Sequence, residues 1–393
     1  MASRKSLSEL YRPVGPKPIV SSISWTSGGS AAILQQVDLS LPIRAIRMVF
    51  KGRLVTGAAV FTSVNPEGFL NLISNITIQG TNARQKGNLT LWNVDLATAW
   101  VAPFLFGQRS GIFTINTGTG DTQVAKPTTP FPAGYFSTAN ATYDFRIVCD
   151  FPFHPFKSHS SGKQPLTIPG FLVRNEEWKD SIQILMTFGA QAGAGATGVL
   201  GVSGGATTVT FSSFGSGSGT PTIDLYSIPV QMGLDLKDQV IPGVLSRVST
   251  PINTVLQTAG TNVPLVNLQK QPTPRIISKF GTSTVVPAFA TLSDTNVTTL
   301  GTLLGGNRNI GNKVDIFTHK QHQPDVYDTD QIQGYVLQDF VENGNPDSAF
   351  PGQDIGDGAT FQEIADVTGV ANAFGLVLQE QMLHLPAGPL YNF

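Results

Sequence analysis

Cysteine and histidine are the residue types in this sequence that most readily act as nucleophiles or metal ligands, and both are scarce. Cys149 is the single cysteine, so the chain can form no internal disulfide. A cysteine acts as a nucleophile when a histidine lies beside it, but Cys149 falls on the apolar face of an alternating stretch. The sequence therefore favours a small buried hydrophobe at this position.

The five histidines offer one pair with the spacing of a metal site. They are His154, His159, His319, His322 and His384. On a helix, His319 and His322 would lie on one face and could bind a metal. No cysteine or third histidine stands at ligand spacing, and Pro324 follows closely. We therefore predict a polar loop without a metal.

Two acidic groups contain the oxygen ligands that calcium prefers. They are Asp325, Asp328 and Asp330 in the first group and Asp354 and Asp357 in the second. Neither group has the regular spacing and closing glutamate of a calcium loop. Ordinary turns are the favoured interpretation, because aspartate hydrogen-bonds its own backbone in turns.

A glycosidase would need two carboxylates on opposite sides of a bound sugar. Glu176 and Glu177 are adjacent, and adjacent residues of a strand point to opposite faces of the sheet. They therefore cannot act as a pair. No GxSxG, P-loop or GxGxxG motif occurs in a usable context. We predict no catalytic, cofactor or metal site, and no enzymatic activity.

Two alternating strands around a long connection are the clearest structural signal. In the first, Tyr143, Phe145, Ile147, Cys149 and Phe151 share one face, and in the second, Ile182, Ile184, Met186 and Phe188 share one face. This period of two is typical of half-buried strands. The proline-containing connection between them is too long for a hairpin. The pattern indicates a large all-β shell with excursions between strands.

Further strands are predicted on both sides of this pair. The segments are 46–51, 70–79, 223–230, 265–268, 275–280, 284–292, 314–317, 333–340 and 374–382. Near-helical spacing of apolar residues predicts a helix over 91–105 that ends before Pro103, and helices over 236–260, the second opening at Thr250 and Pro251. The segment 107–141 is predicted to be a surface loop. The Gly-rich segment 189–219 is predicted to be either a linker or an exposed loop with a short strand at 207–211.

The composition of the chain also favours an all-β fold. Charged residues make up 13% of the chain, with 41 glycines and 26 prolines, whereas soluble domains average ~25% charged residues. Such a composition favours strands and turns over helices, and a surface largely covered by neighbours. The net charge of −1 gives no basic field for nucleic acid. With neither a secretion signal nor a run of about 18 apolar residues, the chain is expected to be soluble or to assemble outside the bilayer.

The predicted domain organisation has three parts. Residues 1–37 form an amino-terminal arm, 38–235 a first β domain, and 236–393 connecting helices with a second β domain. Arg4, Lys5, Arg12 and Lys17 make the arm basic. Such an arm could contact phosphates or lipid head groups, or tie down a neighbouring subunit.

The order and texture of these segments resemble the major capsid proteins of tailless icosahedral phages. This is the double jelly-roll, tectivirus-like lineage, which at greater distance includes the adenovirus hexon. The resemblance lies in IRAIRMVFKGRL with NLISNITIQG and the Trp-containing helix, in the pair FRIVCDFPFHPF and LTIPGFLVRNEEWKDSIQILMTFG, and in GYVLQDFVENGNPDSAFPGQDIGDGATF with NAFGLVLQEQML. It spans nearly the whole chain and rests on pattern and order.

The resemblance implies a fold, a function and partners. The fold would be two tandem eight-stranded jelly rolls with a few short helices. The function would be that of a structural capsid protein, assembling as pseudo-hexagonal homotrimers that tile an icosahedral shell. Its partners would be itself, minor capsid or penton proteins and an internal lipid membrane reached by the arm residues Arg4, Lys5, Arg12 and Lys17, with no sequence-specific nucleic acid binding. The protein would be made in the host cytoplasm and located in the virion.

Two other classes of function stay open at this stage. The first is a virion spike or a carbohydrate- or receptor-binding jelly-roll protein. It would need an exposed aromatic platform or a calcium site, for which Trp178 and the Asp325–Asp330 cluster are the candidates. The second is a hydrolase built on a β-sandwich, which the lack of a catalytic constellation disfavours.

Overall fold

The computed structural model of the chain describes a set of separate ranges, and the statements below concern these residues. They are 11–33, 37–57, 68–82, 87–107, 112–116, 121–124, 139–154, 173, 178, 182–189, 209–232, 244–282, 296–304, 308–327, 331–332, 334–340, 360–371 and 373–383. Most of them lie in strands. No helix among them is long and apolar enough to cross a membrane.

Strands β1 to β12 belong to the first half of the chain. They are Tyr11–Pro13, Lys17–Ser24, Ser30–Ile33, Ile43–Val55, Ile73–Asn82, Gly87–Val94, Ile112–Asn116, Asp121–Val124, Thr142–Pro152, Gln183–Phe188, Thr210–Ser212 and Thr222–Met232. Strands β13 to β20 belong to the second half. They are Val244–Pro251, Gly260–Asn267, Arg275–Thr282, Val297–Leu304, Arg308–Asp315, Tyr335–Asp339, Phe361–Val367 and Ala373–Leu383.

Short helical segments connect some of these strands. Helix α1 is Leu96–Val101 and helix α2 is Ile316–Tyr327, and three 3-10 turns are Leu70–Leu72, Ala102–Phe106 and Val255–Gln257. Asp95 caps α1, because its side chain accepts a hydrogen bond from the Thr98 amide. The all-β class with a few short helices, predicted from the sequence, is confirmed.

Three sheets build two sandwiches. The first sheet has the order β1-β12-β4-β9-β7-β8, with β2 also on β12 and β11 also on β4. The second sheet, which we call the shared sheet, has the order β18-β15-β20-β13-β6-β5-β10-β3. The third sheet has four strands in the order β14-β19-β16-β17. The first and third sheets cover opposite ends of the shared sheet.

The shared sheet takes four strands from each half of the chain. Its two halves join where β13 pairs with β6 in parallel, through Arg247 opposite Trp92 and Val248 opposite Asn93. The second-half neighbour of β13 is β20, with which it pairs in antiparallel fashion. The two sandwiches are therefore connected by continuous backbone hydrogen bonding as well as by side chains.

Each sandwich has its own apolar core. In the first, Phe50 and Phe145 of the first sheet meet Ile78 and Ile184 of the shared sheet, together with Trp25. The predicted faces of β9 and β10 are confirmed, since all nine apolar residues assigned to them are buried.

The second core lies between the shared sheet and the third sheet. Ile276 and Phe280 of β15 meet Leu300 of β16 and Phe361 of β19 there. At Gly375 on β20 the packing leaves no room for a side chain, because a Cβ atom would lie 2.6 Å from the Lys279 carbonyl oxygen.

Several local predictions in the first half are wrong. Leu70 and Leu72 form a 3-10 turn before β5, and Leu91 and Val94 belong to strand β6 and not to a helix. The helix is limited to α1, and the 3-10 turn after it includes Pro103. The segment 107–141, predicted to be a loop, contains β7 and β8. The short strand predicted at 207–211 is present as β11, which begins three residues later and ends one residue later.

The second half also differs from expectation. No helix begins at Thr250 and Pro251, because 244–251 is strand β13 and 255–257 is a 3-10 turn. Of the strand predicted at 314–317, residues 314 and 315 lie in β17, which begins at Arg308 and ends at Asp315, and α2 begins at Ile316. Strands β16 and β19 were not predicted. The strand predicted at 284–292 lies outside the described residues.

Part of the segment 1–37, which the sequence predicts to be an arm, is incorporated into the sheets of this chain. From Tyr11 onward it consists of strands that pair within this chain, β1 and β2 with β12 and β3 with β10. Trp25, between β2 and β3, is buried and donates a hydrogen bond from Nε1 to the Leu72 carbonyl oxygen at 2.7 Å. The proposed domain boundaries at 37/38 and 235/236 stay predictions.

Candidate functional site

The cysteine is buried as predicted. Cys149 is inaccessible to solvent, and its side chain points into the first core. Burial, reinforced by the charge of Asp150, raises the pKa of the Cys149 thiol well above its usual value. A thiol that stays protonated and inaccessible is a poor nucleophile, so its role is packing.

The histidine pair lies on a helix, which corrects the predicted loop. His319 and His322 belong to α2. The Nε2 atom of His319 lies 2.9 Å from the Leu300 carbonyl oxygen, so this ring is oriented by the backbone of β16. Among the described residues no three His, Cys, Asp or Glu side chains come together as a metal site. His159 and His384 lie outside those residues.

The acidic candidates are only partly described. Asp325, on α2, accepts a hydrogen bond from Gln321 Nε2 at 3.3 Å. The other candidate acids lie outside the described residues: Asp328, Asp330, Asp354, Asp357, Glu176 and Glu177. Trp178 is 1% exposed, so it cannot form the exposed aromatic platform that a carbohydrate-binding function would need.

Among the basic residues of the arm, Lys17 is the one whose side chain the structure describes. Lys17 Nζ lies 3.3 Å from Asp38 Oδ2, and both side chains are substantially exposed. Arg12 belongs to β1 opposite Gln231, while Arg4 and Lys5 lie outside the described residues. That these residues face the interior of a shell stays a prediction.

Sequence reasoning missed a group of buried charges where the two sandwiches meet. We call Arg247, Arg275, Asp339 and Glu380 the ionic cluster. They come from β13, β15, β18 and β20, which are neighbours in the shared sheet. Each has a side chain at most 5% exposed. The two positive and two negative charges balance, as burial in a medium of low dielectric constant requires.

Arg247 joins the second half of the chain to the first. Its Nε donates to Glu380 Oε2 at 2.8 Å, while Nη1 and Nη2 donate to the carbonyl oxygens of Pro152 at 2.7 Å and His154 at 2.9 Å. The guanidinium stacks 4.6 Å from the Trp92 ring centroid, a favourable cation–π geometry. Burial lowers the pKa of Arg247 to about 10, although Glu380 opposes the shift.

Arg275, on the other side of β20 from Arg247, makes a similar connection. It lies 3.3 Å from Asp339 Oδ1 and 3.3 Å from Glu380 Oε1. Its guanidinium lies 4.6 Å from the ring centroid of Phe106, in the 3-10 turn after α1. Burial lowers the pKa of Arg275, but the attraction of the two carboxylates outweighs burial and the net pKa is raised.

Lys279 provides a third link of the same kind. Its Nζ lies 3.0 Å from Oδ2 of Asp95, the residue that caps α1. Arg275 and Lys279 are four residues apart on β15 and therefore project from the same face of the strand. This face of the shared sheet is directed at the first sandwich, and its charges hold the two sandwiches in a fixed relation.

A second set of ion pairs lies on the half-buried outer face of the first sheet. Arg47 Nε–Asp150 and Arg53 Nε–Asp144 each measure 2.7 Å, as does Lys51 Nζ–Asp224. The arginine pairs are bidentate. The Arg53 hydrogen bond lowers the pKa of Asp144. Within these three pairs each cation has its own anion, while Arg146 on the same face of β9 stacks 5.0 Å from the Phe214 ring centroid.

Neither set of charges contains the parts of a catalytic site. The guanidinium groups in the ionic cluster are occupied by carboxylates and carbonyl oxygens, and no nucleophile is paired with a base there. The arrangement can fix geometry, since charge-assisted hydrogen bonds with several partners hold side chains in one orientation.

The fold defined by these sheets is the double jelly roll, as predicted, and solved structures of capsid proteins share it. The STIV MCP, from Sulfolobus Turreted Icosahedral Virus, matches with a TM-score of 0.61 and 13% sequence identity, over 96% of this chain and 97% of that one. A PBCV-1 virus capsid structure matches with a TM-score of 0.54 and 13% identity, over 97% of this chain and 95% of that one. No protein-family model and no curated protein sequence matches.

Proposed function

We propose that this chain is a major capsid protein, a structural subunit that works by self-association. The observation that carries the proposal is the double jelly-roll fold over nearly the full length, shared with the capsid structures of two viruses. The ionic cluster supports it, because a shell subunit must keep its two sandwiches in one fixed orientation to present constant contact surfaces. Fold alone does not define function, so the proposal depends on the assembly test below.

The proposed assembly is a homotrimer. One chain contributes two similar sandwiches, so three chains around a threefold axis present six and form a pseudo-hexagonal block. Such blocks can tile the facets of an icosahedral shell. Each contact between blocks can be modest, because the lattice gains stability from the number of contacts. The contact surfaces would be sheet edges and loops.

The remaining parts of the proposal follow from this role. The protein would reside in the virion of a bacteriophage, after synthesis in the host cytoplasm. Minor capsid or penton proteins would complete the shell. The basic arm residues Arg4, Lys5, Arg12 and Lys17 would face the interior, where an internal lipid membrane is a candidate partner.

Light scattering coupled to size-exclusion chromatography tests the assembly. We expect a particle of three 41.8 kDa chains, about 125 kDa, with a hexagonal outline in negative stain. Dilution over a hundredfold range distinguishes a stable trimer from transient association. A monomer at every concentration would contradict the capsid function. If that monomer also bound glycans on an array, the spike or receptor-binding alternative would replace it.

A further inference from the structure

The core of the second sandwich contains an unexpected layer of polar residues. Glu363 of β19 and Thr302 of β16 belong to the third sheet, while Ser278 of β15 and Gln338 of β18 belong to the shared sheet. All four are at most 4% exposed. Their strand neighbours on the same faces, among them Ile276, Leu300, Val336, Phe361 and Ala365, form the second core. We call these four residues the Glu363 cluster.

The hydrogen bonds of the cluster connect the two sheets. Ser278 Oγ donates to Glu363 Oε1 at 2.5 Å, and Gln338 Nε2 donates to the same oxygen at 2.7 Å. Thr302 Oγ1 donates to Gln338 Oε1 at 2.8 Å. The other carboxyl oxygen, Glu363 Oε2, has no hydrogen-bond partner among the described residues.

This asymmetry fits a neutral carboxylic acid better than a carboxylate. In a carboxylate both oxygens carry negative charge, and each needs donors when it is buried. Here both donors converge on Oε1, as they would on the carbonyl oxygen of a protonated acid. Oε2 is then the hydroxyl oxygen, and no charged oxygen is left without solvation.

The charged groups on the surrounding strands are engaged elsewhere. Arg275, Lys279, Asp339 and Glu380 lie on the opposite face of the shared sheet, in the contacts with the first sandwich. On β19 itself, Asp366 pairs with Lys313 of β17. Strands β14 and β16 carry no charged residue.

Helix α2 packs against β16 and β18 and carries the other titratable groups near this core. They include His319, which contacts the Leu300 carbonyl oxygen, Lys320, and the exposed Asp325, whereas Tyr327 of the same helix belongs to the first core. Burial raises the pKa of Glu363 to about 7, and the hydrogen bonds from Ser278 and Gln338 offset only part of that shift.

We propose that Glu363 is a proton-dependent switch in the second jelly roll: the carboxyl group is neutral while the third sheet packs on the shared sheet, and loss of its proton weakens that packing. The proposal concerns the fold of one chain and does not depend on the capsid function. It predicts that the second sandwich is less stable at mildly alkaline pH than at mildly acidic pH.

The direction of the change in stability with pH follows from proton linkage. The folded chain holds the proton up to a pH of about 7, whereas the unfolded chain releases it near the ordinary value of 4.5. Between these values the folded state binds more protons, so its stability falls as pH rises, and the loss levels off above the folded pKa. Between pH 5 and pH 8 we expect the unfolding equilibrium constant to rise on the order of 100-fold from this group.

Urea unfolding of the full chain at several pH values tests the proposal. Glu363→Gln keeps the shape and cannot ionise, so the expected pH-dependent component is lost and the variant is the more stable protein at pH 8. His319→Gln is the matched control: it replaces the imidazole on α2 beside this core, keeps a donor for the Leu300 carbonyl, and should retain the wild-type slope. If wild type and Glu363→Gln differ by a constant factor across the range, the proposal is overturned.

A direct measurement on the wild-type protein tests the proposal even if the Glu363→Gln variant does not fold. Infrared spectroscopy of the wild-type protein should show a protonated carboxyl band at pH 6 that disappears by pH 8. A folded Glu363→Gln variant should lack this band. A wild-type spectrum with no protonated carboxyl at pH 6 would overturn the proposal by itself.

Discussion

Glu380 is the residue on which the connection between the two sandwiches most depends, because it contacts both buried arginines. Replacing Glu380 with glutamine preserves the shape of the side chain and removes its charge. Arg247 then loses its contact with Glu380 and keeps the carbonyl oxygens of Pro152 and His154, while Arg275 keeps Asp339. The two buried positive charges of the ionic cluster then face a single negative charge of the cluster.

The size of the effect follows from burial. Arg247 is 0% and Glu380 4% exposed, so water cannot take over the lost interaction. Breaking a buried ion pair by removing one partner costs ~3–5 kcal/mol in unfolding free energy. Two charges about 4 Å apart at an effective dielectric constant of about 20 interact with ~4 kcal/mol, which gives the same magnitude. We therefore expect Glu380→Gln to destabilise the protein by ~4 kcal/mol.

Urea denaturation followed by tryptophan fluorescence measures this change, and Trp92 reports on it locally because it stacks on Arg247. The control is Asp150→Asn, the same type of substitution in the more exposed pair with Arg47, which should cost less than ~1 kcal/mol. In a double-mutant cycle, Arg247→Met with Glu380→Gln should cost clearly less than the sum of the single changes. A cost similar to that of the control, or strict additivity, would refute the reasoning.

Two further predictions concern packing. Gly375→Ala should destabilise the protein by ~2 kcal/mol or more, since a Cβ atom would meet the Lys279 carbonyl oxygen. The control is Gly217→Ala, where nothing lies within 4 Å of the added Cβ atom. Equal melting temperatures for the two variants would contradict the expectation. Phe145→Asp should prevent formation of soluble folded protein, because it places a charge in a position with 0% exposure. The control, Thr142→Asp, changes an exposed residue of the same strand and should remain soluble. A folded Phe145→Asp variant would show that the core face of β9 is wrongly assigned.

Strands with strict alternation could be predicted from the sequence because one face is apolar and the other polar along their whole length. Strand β9 is the clearest example, with Tyr143 to Phe151 buried at every second position. Strand β4 shows the same pattern from Ile46 to Phe50. In such strands a shift by one residue would expose the entire apolar set, so the pattern fixes the face.

The helices predicted over 236–260 are wrong from residue 244 onward, while 236–243 lie outside the described residues. The prediction arose from a spacing that fits two structures. Residues four apart, such as Val244 and Val248, lie on the same side of a helix and also on the same side of a strand. Strand β13 is central in the shared sheet, and three consecutive residues, Leu245, Ser246 and Arg247, are buried, so the strand lacks the alternation that would have decided the question. Strand β19 was missed for a related reason, since Glu363 occupies a position where the pattern requires an apolar residue.

The ionic cluster could not be predicted because its members are distant in sequence. Arg247 and Glu380 are 133 residues apart, and Arg275 and Glu380 are 105 residues apart. Single charged residues in strands usually indicate a solvated face. Only the order of strands in the shared sheet shows that these charges lie between two sandwiches.

The parallel pairing of β13 with β6 has a consequence for biosynthesis. The ribosome delivers the chain from the amino terminus. Strand β6 can pair with β5 early, but it obtains its second neighbour only when residues 244–251 emerge, and β13 obtains its second neighbour only with residues 373–383. Until then the edge of the first sandwich presents unpaired backbone groups, which promote association with other chains. We therefore expect nascent chains of this protein to depend on rapid completion of synthesis or on a chaperone that covers this edge.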